Sequence, residues 1–267
     1  MGTNDIPKTT FLEMLDFAKS LNPTYVFWLG DNENHEVDDV SVEVNIETTT
    51  YISENLREKF GPDQQFYVSI GNHESHPVGI FDNMHNNDQW VLDDMSDIYN
   101  NANLISNDES AMMKKGGYYS AKIPDRNVKV ISLFSTIYDS LNTYLILNIF
   151  DPLGQLTWLE NELKDSESKK ESVLIIAHIP MGGDSSTTYS YVSVFNALME
   201  RYENTVNGVF TAHTHQDQLI FHTKLSDQTK ITNTEYISPS MTTYTNQNPS
   251  FRIYTMDSET NQVVDYT

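Results

Sequence analysis

The chain contains no cysteine. That excludes a disulfide framework, a thiolate metal site and a cysteine nucleophile, so any metal must sit on His, Asp, Glu or Asn. Basic residues are scarce as well. Only 16 Lys and Arg stand against 38 Asp and Glu, and the formal charge of −22 makes a well-solvated acidic surface that repels phosphate backbones and anionic headgroups. Nucleic acid is therefore not an expected partner. No apolar run approaches the roughly 20 residues that a membrane-spanning helix needs. The first residues also lack the basic-then-apolar pattern of a signal peptide. Repeats, low-complexity linkers and compositional breaks are missing too, so residues 1–267 are read as one domain. Hydrophobic residues at 38%, with 11% aromatics, fit a folded chain with a core of ample size.

What is present is a set of short apolar runs, each ending in a residue that can bind a metal. Residues 5–21 read as a helix, with Asp5 able to cap it, Pro7 suited to its first turn, and Asn22-Pro23 stopping it. Tyr25-Val26-Phe27-Trp28-Leu29 is continuous rather than alternating, which predicts a strand covered on both faces and running into Gly30-Asp31. A polar, acidic loop from residue 32 gives way to a helix that continues through Ile52–Arg57 and breaks at Gly61-Pro62. Phe66-Tyr67-Val68-Ser69-Ile70 then opens into Gly71-Asn72-His73-Glu74. This order of helix, strand, helix, strand implies parallel pairing with crossovers.

Over 75–116 the spacing of Trp90, Leu92, Met95 and Tyr99 predicts one helix. Tyr118–Ala121 and Val128–Leu133 read as paired strands, 155–163 as a helix, and the charged run 164–172 as a solvated connection. Val173–Ala177 delivers His178, helical spacing returns over 190–203, and Val209–Ala212 delivers His213 and His215. Four alternating runs, 218–223, 234–238, 251–256 and 262–266, close the chain as strands of antiparallel character.

Four strand ends thus carry Asp31, Asn72-His73, His178 and His213-Thr214-His215. A lone histidine at a strand end is usually a hydrogen-bonded surface residue; four coincidences at one sheet edge point to a metal site. Two divalent ions ~3.5–4 Å apart need a carboxylate that bridges them, with neutral imidazole or amide ligands around it. Asp31 is the candidate bridge. His213 and His215, two apart, would point to opposite sides of a strand, so each can serve an ion only if the strand has given way to a bend.

Together Gly30-Asp31, Gly71-Asn72-His73-Glu74, Ala177-His178 and Ala212-His213-Thr214-His215 resemble the calcineurin-like metallophosphoesterase signature. The likeness within that superfamily is to the acid sphingomyelinase-like phosphodiesterases. Asn72–Val78, Asp151–Leu159, His178-Ile179-Pro180, Tyr236–Thr242 and Asn248–Tyr254 carry it across nearly the whole chain. The resemblance implies a four-layer αββα sandwich of two mixed sheets with helices outside. It implies two divalent ions, zinc first with Mn or Fe as alternatives. Asp31 would bridge them, Asn72, His178 and His213 would complete one, and His215 would bind the other. His73 and His35 would face the scissile phosphate, with Glu74 orienting that region, while a metal-activated hydroxide attacks the phosphodiester. His76 is read as structural. The implied protein is a monomer acting on a small-molecule or lipid phosphodiester such as sphingomyelin, secreted or in an endolysosomal lumen.

One part of the pattern is missing. The superfamily supplies two further ligands, spaced Asp-x-His, from a leading strand, and no Asp-x-His occurs in this sequence. One site then has four ligands and the other only Asp31 and His215. An upstream truncation is the first expectation, ahead of a one-ion enzyme and of a metal-binding relic without turnover; the family's later helical region and its disulfides are absent too. A hydrolase of nucleotides or other small phosphoesters is the other enzymatic alternative.

Overall fold

The computed structural model describes residues 4–37, 40–82, 84–147, 150–183 and 185–267. The positions between these ranges fall within the stretches 32–50, 75–116 and 135–155 and next to Gly183, and lie outside the described residues. Helix α1 (Lys8–Ser20) leads into strand β1 (Tyr25–Trp28), and α2 (Val42–Phe60) into β2 (Gln65–Val68). Helices α3 (Gln89–Asn101) and α4 (Asn107–Gly116) precede β3 (Tyr119–Lys122) and β4 (Val128–Ser132). Then come α5 (Gln155–Lys169), β5 (Ser172–Ile176), α6 (Tyr189–Arg201) and β6 (Val206–Thr211). Strands β7 (Gln218–Lys224), β8 (Asp227–Ile237), β9 (Tyr254–Met256) and β10 (Val263–Tyr266) complete the order.

Six strands form a mixed sheet in the order β3-β4-β5-β6-β8-β7. Its inner strands β4, β5, β6 and β8 run parallel, and the edge strands β3 and β7 are antiparallel to their neighbours. Parallel neighbours need crossovers, which α5 and α6 supply. The facing layer is divided: β1 pairs with β2 in parallel, Tyr25 opposite Gln65 through Trp28 opposite Val68, while β9 and β10 form a separate antiparallel pair.

Side-chain alternation along β1 explains the layering. Phe27 points at the six-stranded sheet, where its ring lies 5.1 Å from that of Phe210, and Trp28 points the other way, 6.3 Å from Phe11 of α1. Val68 of β2 is pinned to the larger sheet by the hydroxyls of Tyr119 and Ser132, the latter donating to its carbonyl at 2.8 Å. On the far face Lys129 of β4 meets Glu162 and Asp165 of α5 at 3.0 and 3.1 Å. The chain is therefore layered helix, strand, strand, helix, as the sequence leads one to expect, with the core between Phe27, Tyr67 and Val68 on one side and Val130, Ile175 and Phe210 on the other.

β1 is covered on both faces, as its continuous apolar run predicts, yet it stays half-buried along its length, with β2 its one pairing partner among the described residues. Three local expectations are corrected. Asp5 does not cap α1; Pro7 occupies that position with no side-chain cap. The charged run 164–172 is mostly helix: α5 continues to Lys169, its charges paired as Lys169–Asp165 at 2.7 Å and Lys129–Glu162. The stretch 75–116 holds two helices, the second begun by a capping box of Ser106 and Glu109.

Candidate metal centre

The β1 and β2 ends approach backbone to backbone. Gly30 at φ 84° and Asp31 at φ 67° turn the chain directly after β1. A Cβ on Gly30 would stand 2.8 Å from the Ser69 carbonyl oxygen and closer still to Gly71 N, so only glycine lets the two loops meet. Glu74 then fastens them. Its fully buried carboxylate accepts the N–H groups of Asp31 (3.0 Å) and Gly71 (2.7 Å) on Oε2 and of Asn32 (2.6 Å) on Oε1. Burial, and next the Asp31 carboxylate beside it, push the Glu74 carboxyl above its ordinary range, while the Asn32 and Asp31 N–H groups pull the other way.

On this staple sits a compact donor set. Asp31, His178 and His213 each offer a ligand atom, and these atoms lie within 4.8 Å of one another. Asn72 joins them, its Oδ1 2.9 Å from His213 Nδ1. His178 donates from Nδ1 to the Leu29 carbonyl at 2.9 Å, which turns Nε2 towards Asp31 Oδ2 at 3.2 Å. That nitrogen is buried and has no partner in hydrogen-bonding geometry. A buried, unaligned imidazole nitrogen facing a carboxylate is what a shared divalent ion would satisfy, so these residues fit a metal. Burial alone would raise the Asp31 carboxyl; His178 and His73 beside it instead hold it well below the usual carboxylate range. Against its own burial, Asp31 raises His178, so a proton and a cation compete for the same place.

The second histidine pair meets the condition set by its spacing. β6 ends at Thr211, and His213 and His215 stand at φ 68° and 62°, a bend in which non-glycine residues hold left-handed backbone. His215 faces His35, ring centroids 5.1 Å apart, with Thr245 Oγ1 3.4 Å from its Nδ1. Burial first, then His35, lower its pKa and favour the neutral imidazole. His73 is anchored by its N–H to Asp31 Oδ1 (2.8 Å) and by Nδ1 to the Asn34 carbonyl (3.1 Å), with its ring 4.6 Å from that of His35. Asp31, Asn72, His73, His178, His213, His215 and His35 thus converge on one cleft, whereas Glu74 lies beneath it. A cavity of about 670 Å³ runs along β1 under α1 and ends at Asp31, His35, His178, His213 and His215. A second, of about 610 Å³, reaches from His213 and Thr214 to Gly182, Gly183 and Ser186.

Against known proteins, the family profile described as Calcineurin-like phosphoesterase matches residues 6–217. The chain belongs to the calcineurin-like phosphoesterase family. Sphingomyelin phosphodiesterase B of Dictyostelium discoideum is 32% identical over 263 residues, 96% of this chain and 40% of that protein. The human cyclic GMP-AMP phosphodiesterase SMPDL3A is 28% identical over 287 residues, 98% of this chain and 59% of that protein. The chain thus spans about half the length of these curated relatives. A solved dimetal phosphatase from Danio rerio shares the fold, with TM-score 0.57 and 16% identity over 85% of this chain and 77% of that one. Calcineurin-like phosphoesterases hold divalent metal ions, and Asp31, His178 and His213 form a partial site for one.

Two residues of this phosphoesterase cleft escaped the sequence. Tyr244 stacks on the His35 ring at 3.8 Å and 7°, and no local pattern announces it. Asp5 accepts the His35 N–H at 2.9 Å and contacts His35 Nδ1 at 2.9 Å, with Thr242 donating to it as well. Burial opposes ionisation of Asp5, but the His35 hydrogen bond, followed by that of Thr242, holds its carboxyl down at about 2. An ionised carboxylate can only accept, so it fixes the proton on His35 Nδ1 and presents Nε2 to the cleft. With its folded pKa below the ordinary 3.8, Asp5 contributes stability above that value and loses it as pH falls through about 2. Asp5→Asn is expected to slow turnover roughly 10-fold while leaving bound metal unchanged, as checked by kcat and elemental analysis.

Proposed function

We propose that this chain is a metal-dependent phosphodiester hydrolase acting on a lipid phosphodiester of the sphingomyelin type. The observation that carries the reading is His178 Nε2, buried, unaligned and 3.2 Å from Asp31 Oδ2. The donor set supports one ion on Asp31, Asn72, His178 and His213, and the family resemblance adds a second on Asp31 and His215. Zinc suits such a nitrogen-rich set, with Mn or Fe as alternatives. A divalent ion, when bound, supplies Lewis acidity that offsets phosphoryl charge and makes water acidic enough to attack near neutral pH.

The chain's own side chains do the rest. Asp31 would hold the metal and, by accepting the His73 N–H, fixes the loop that carries His73. His73 and His35 each spend Nδ1 on a fixed partner, Asn34 O and Asp5, which leaves Nε2 to stabilise developing charge or protonate the leaving alkoxide. We propose a secreted or endolysosomal compartment, as the resemblance to the acid sphingomyelinase-like phosphodiesterases implies. Likeness to a cyclic GMP-AMP phosphodiesterase supports a second reading, hydrolysis of a nucleotide. The charge of −22 favours the lipid, because a zwitterionic headgroup brings no extra anionic charge to an acidic surface.

The test is elemental analysis of the purified chain, followed by hydrolysis of bis-p-nitrophenyl phosphate and of p-nitrophenyl phosphate with added Zn²⁺ or Mn²⁺. Bound metal and faster cleavage of the diester are expected, with His73→Ala losing roughly 100-fold in kcat at unchanged metal content. A chain that binds no metal sinks the reading. Metal without turnover leaves a binding protein in its place.

A further inference from the structure

One residue in five of this chain is charged, yet the segments 140–150 and 185–199 contain no Asp, Glu, Lys or Arg. The fold clips these two segments together. Asp139 and Thr187 form an antiparallel bridge, Ser140 N–H donates to Ser186 O at 2.7 Å, and Thr188 N–H donates to Tyr138 O at 3.0 Å. Tyr138 also stacks on Tyr191 with ring centroids 4.5 Å apart. From the clipped segments Leu141, Ile146, Leu147, Phe150, Tyr189 and Val194 stand out into solvent, and Ile146, Phe150 and Tyr189 are 80–82% exposed. Single exposed apolar side chains are ordinary, but six on two adjoining uncharged segments of an acidic protein mark an interaction surface.

This surface borders the cleft. Ser186, which receives the Ser140 bond, lines the cavity that ends at His213. Leu141 Cβ lies 3.7 Å from where a Cβ on Gly79 would stand, and Gly79 N–H donates to the carbonyl of Asn72 at 3.1 Å. A partner docked there lies beside the cavity that Ser186 shares with His213 and Thr214.

Charge selects the occupant. An anionic surface is repelled by a chain at −22, and so is a second copy carrying the same charge. A zwitterionic bilayer has no net charge, and an uncharged apolar window can approach it without that cost. We propose that residues 140–147 and 150, together with 185–199, form a docking surface for a zwitterionic lipid bilayer, with the large apolar side chains entering its interfacial layer and the cavity at Ser186 receiving a headgroup. In its purpose this rests on the lipid phosphodiester reading; the docking itself requires no turnover.

The experiment is co-sedimentation of the purified chain with phosphatidylcholine vesicles, alongside hydrolysis of bis-p-nitrophenyl phosphate in the absence of vesicles. Wild type is expected to bind, and more weakly when phosphatidylserine is added. Ile146→Asp with Phe150→Asp is expected to cut the vesicle partition coefficient at least about tenfold, with melting temperature and soluble-substrate hydrolysis unchanged. Wild type that stays in the supernatant overturns the proposal, as does a double variant that binds equally well. A wild-type dimer that the double variant makes monomeric, with no vesicle binding, assigns the face to a second copy instead. Vesicle binding without diester hydrolysis keeps the docking surface and removes the hydrolase, whereas hydrolysis without binding does the reverse.

Discussion

Asp31→Asn is expected to leave the fold standing while stripping the chain of metal. The position sits at φ 67°, a conformation that Asn tolerates about as well as Asp, and an amide oxygen can still accept the His73 N–H that Asp31 Oδ1 now holds at 2.8 Å. What disappears is the anionic oxygen facing His178 Nε2, the one carboxylate in the donor cluster with His178 and His213. Altering a group that only orients a ligand costs roughly 10–100-fold in metal affinity, so losing the shared ligand itself is expected to cost at least about 10³-fold. Turnover of a chromogenic diester should fall to background with it. Competition against a chelator measures the affinity, and circular dichroism checks the fold. A variant that keeps wild-type metal content would show that the cation sits elsewhere. With Asp31 neutral, the influence that raises His178 against its burial is also gone, so the His178 imidazole should titrate at a lower pH in the metal-free variant.

The parts of this cleft that were legible are those the chain writes locally. An apolar run followed by a polar residue is a short-range pattern, and β1, β2, β5 and β6 end within a few residues of Asp31, Asn72, His178 and His213 as that pattern predicts. The bend at His213 and His215 could be stated only as a condition, because left-handed backbone at histidine has no sequence signal and is held by its surroundings. Asp5 was misread for a related reason. A carboxylate ahead of a helix has a local use as a cap, and a partner 30 residues away at His35 took it instead. The half-burial of β1 was beyond reach, since composition says that a strand is apolar but not which neighbour lies along its edge. Helix α4 is different: Ser106 and Glu109 spell out a capping box, so a signal was there to be used. The extension of α5 to Lys169 was obscured because a charged helical face and a charged connection share a composition and differ only in spacing.

Glu74 carries the other large expected effect, on stability rather than chemistry. Its two carboxylate oxygens satisfy three backbone N–H groups, on Gly71, Asp31 and Asn32, and these belong to the two loops that must meet for Asp31 and Asn72 to share a site. Glu74→Ala leaves three donors without their acceptor in a place where the side chain had no exposure at all. At about 1–3 kcal/mol for each buried unsatisfied group, and with part of the loss recovered by relaxation and entering water, a destabilisation of roughly 4 kcal/mol is expected. In a domain of this size that lowers the melting temperature by roughly 10 °C. Glu74→Gln sharpens the argument, since it keeps the volume and one oxygen but points an NH₂ at N–H groups, setting donor against donor. It should therefore lose a large share of the same stability, measured by thermal denaturation of the metal-free protein so that ligand binding does not enter. If Gln is tolerated without a shift in melting temperature, the carboxylate is not what holds the two loops together, and the convergence of Asp31 and Asn72 must rest on the Gly30–Gly71 backbone approach alone.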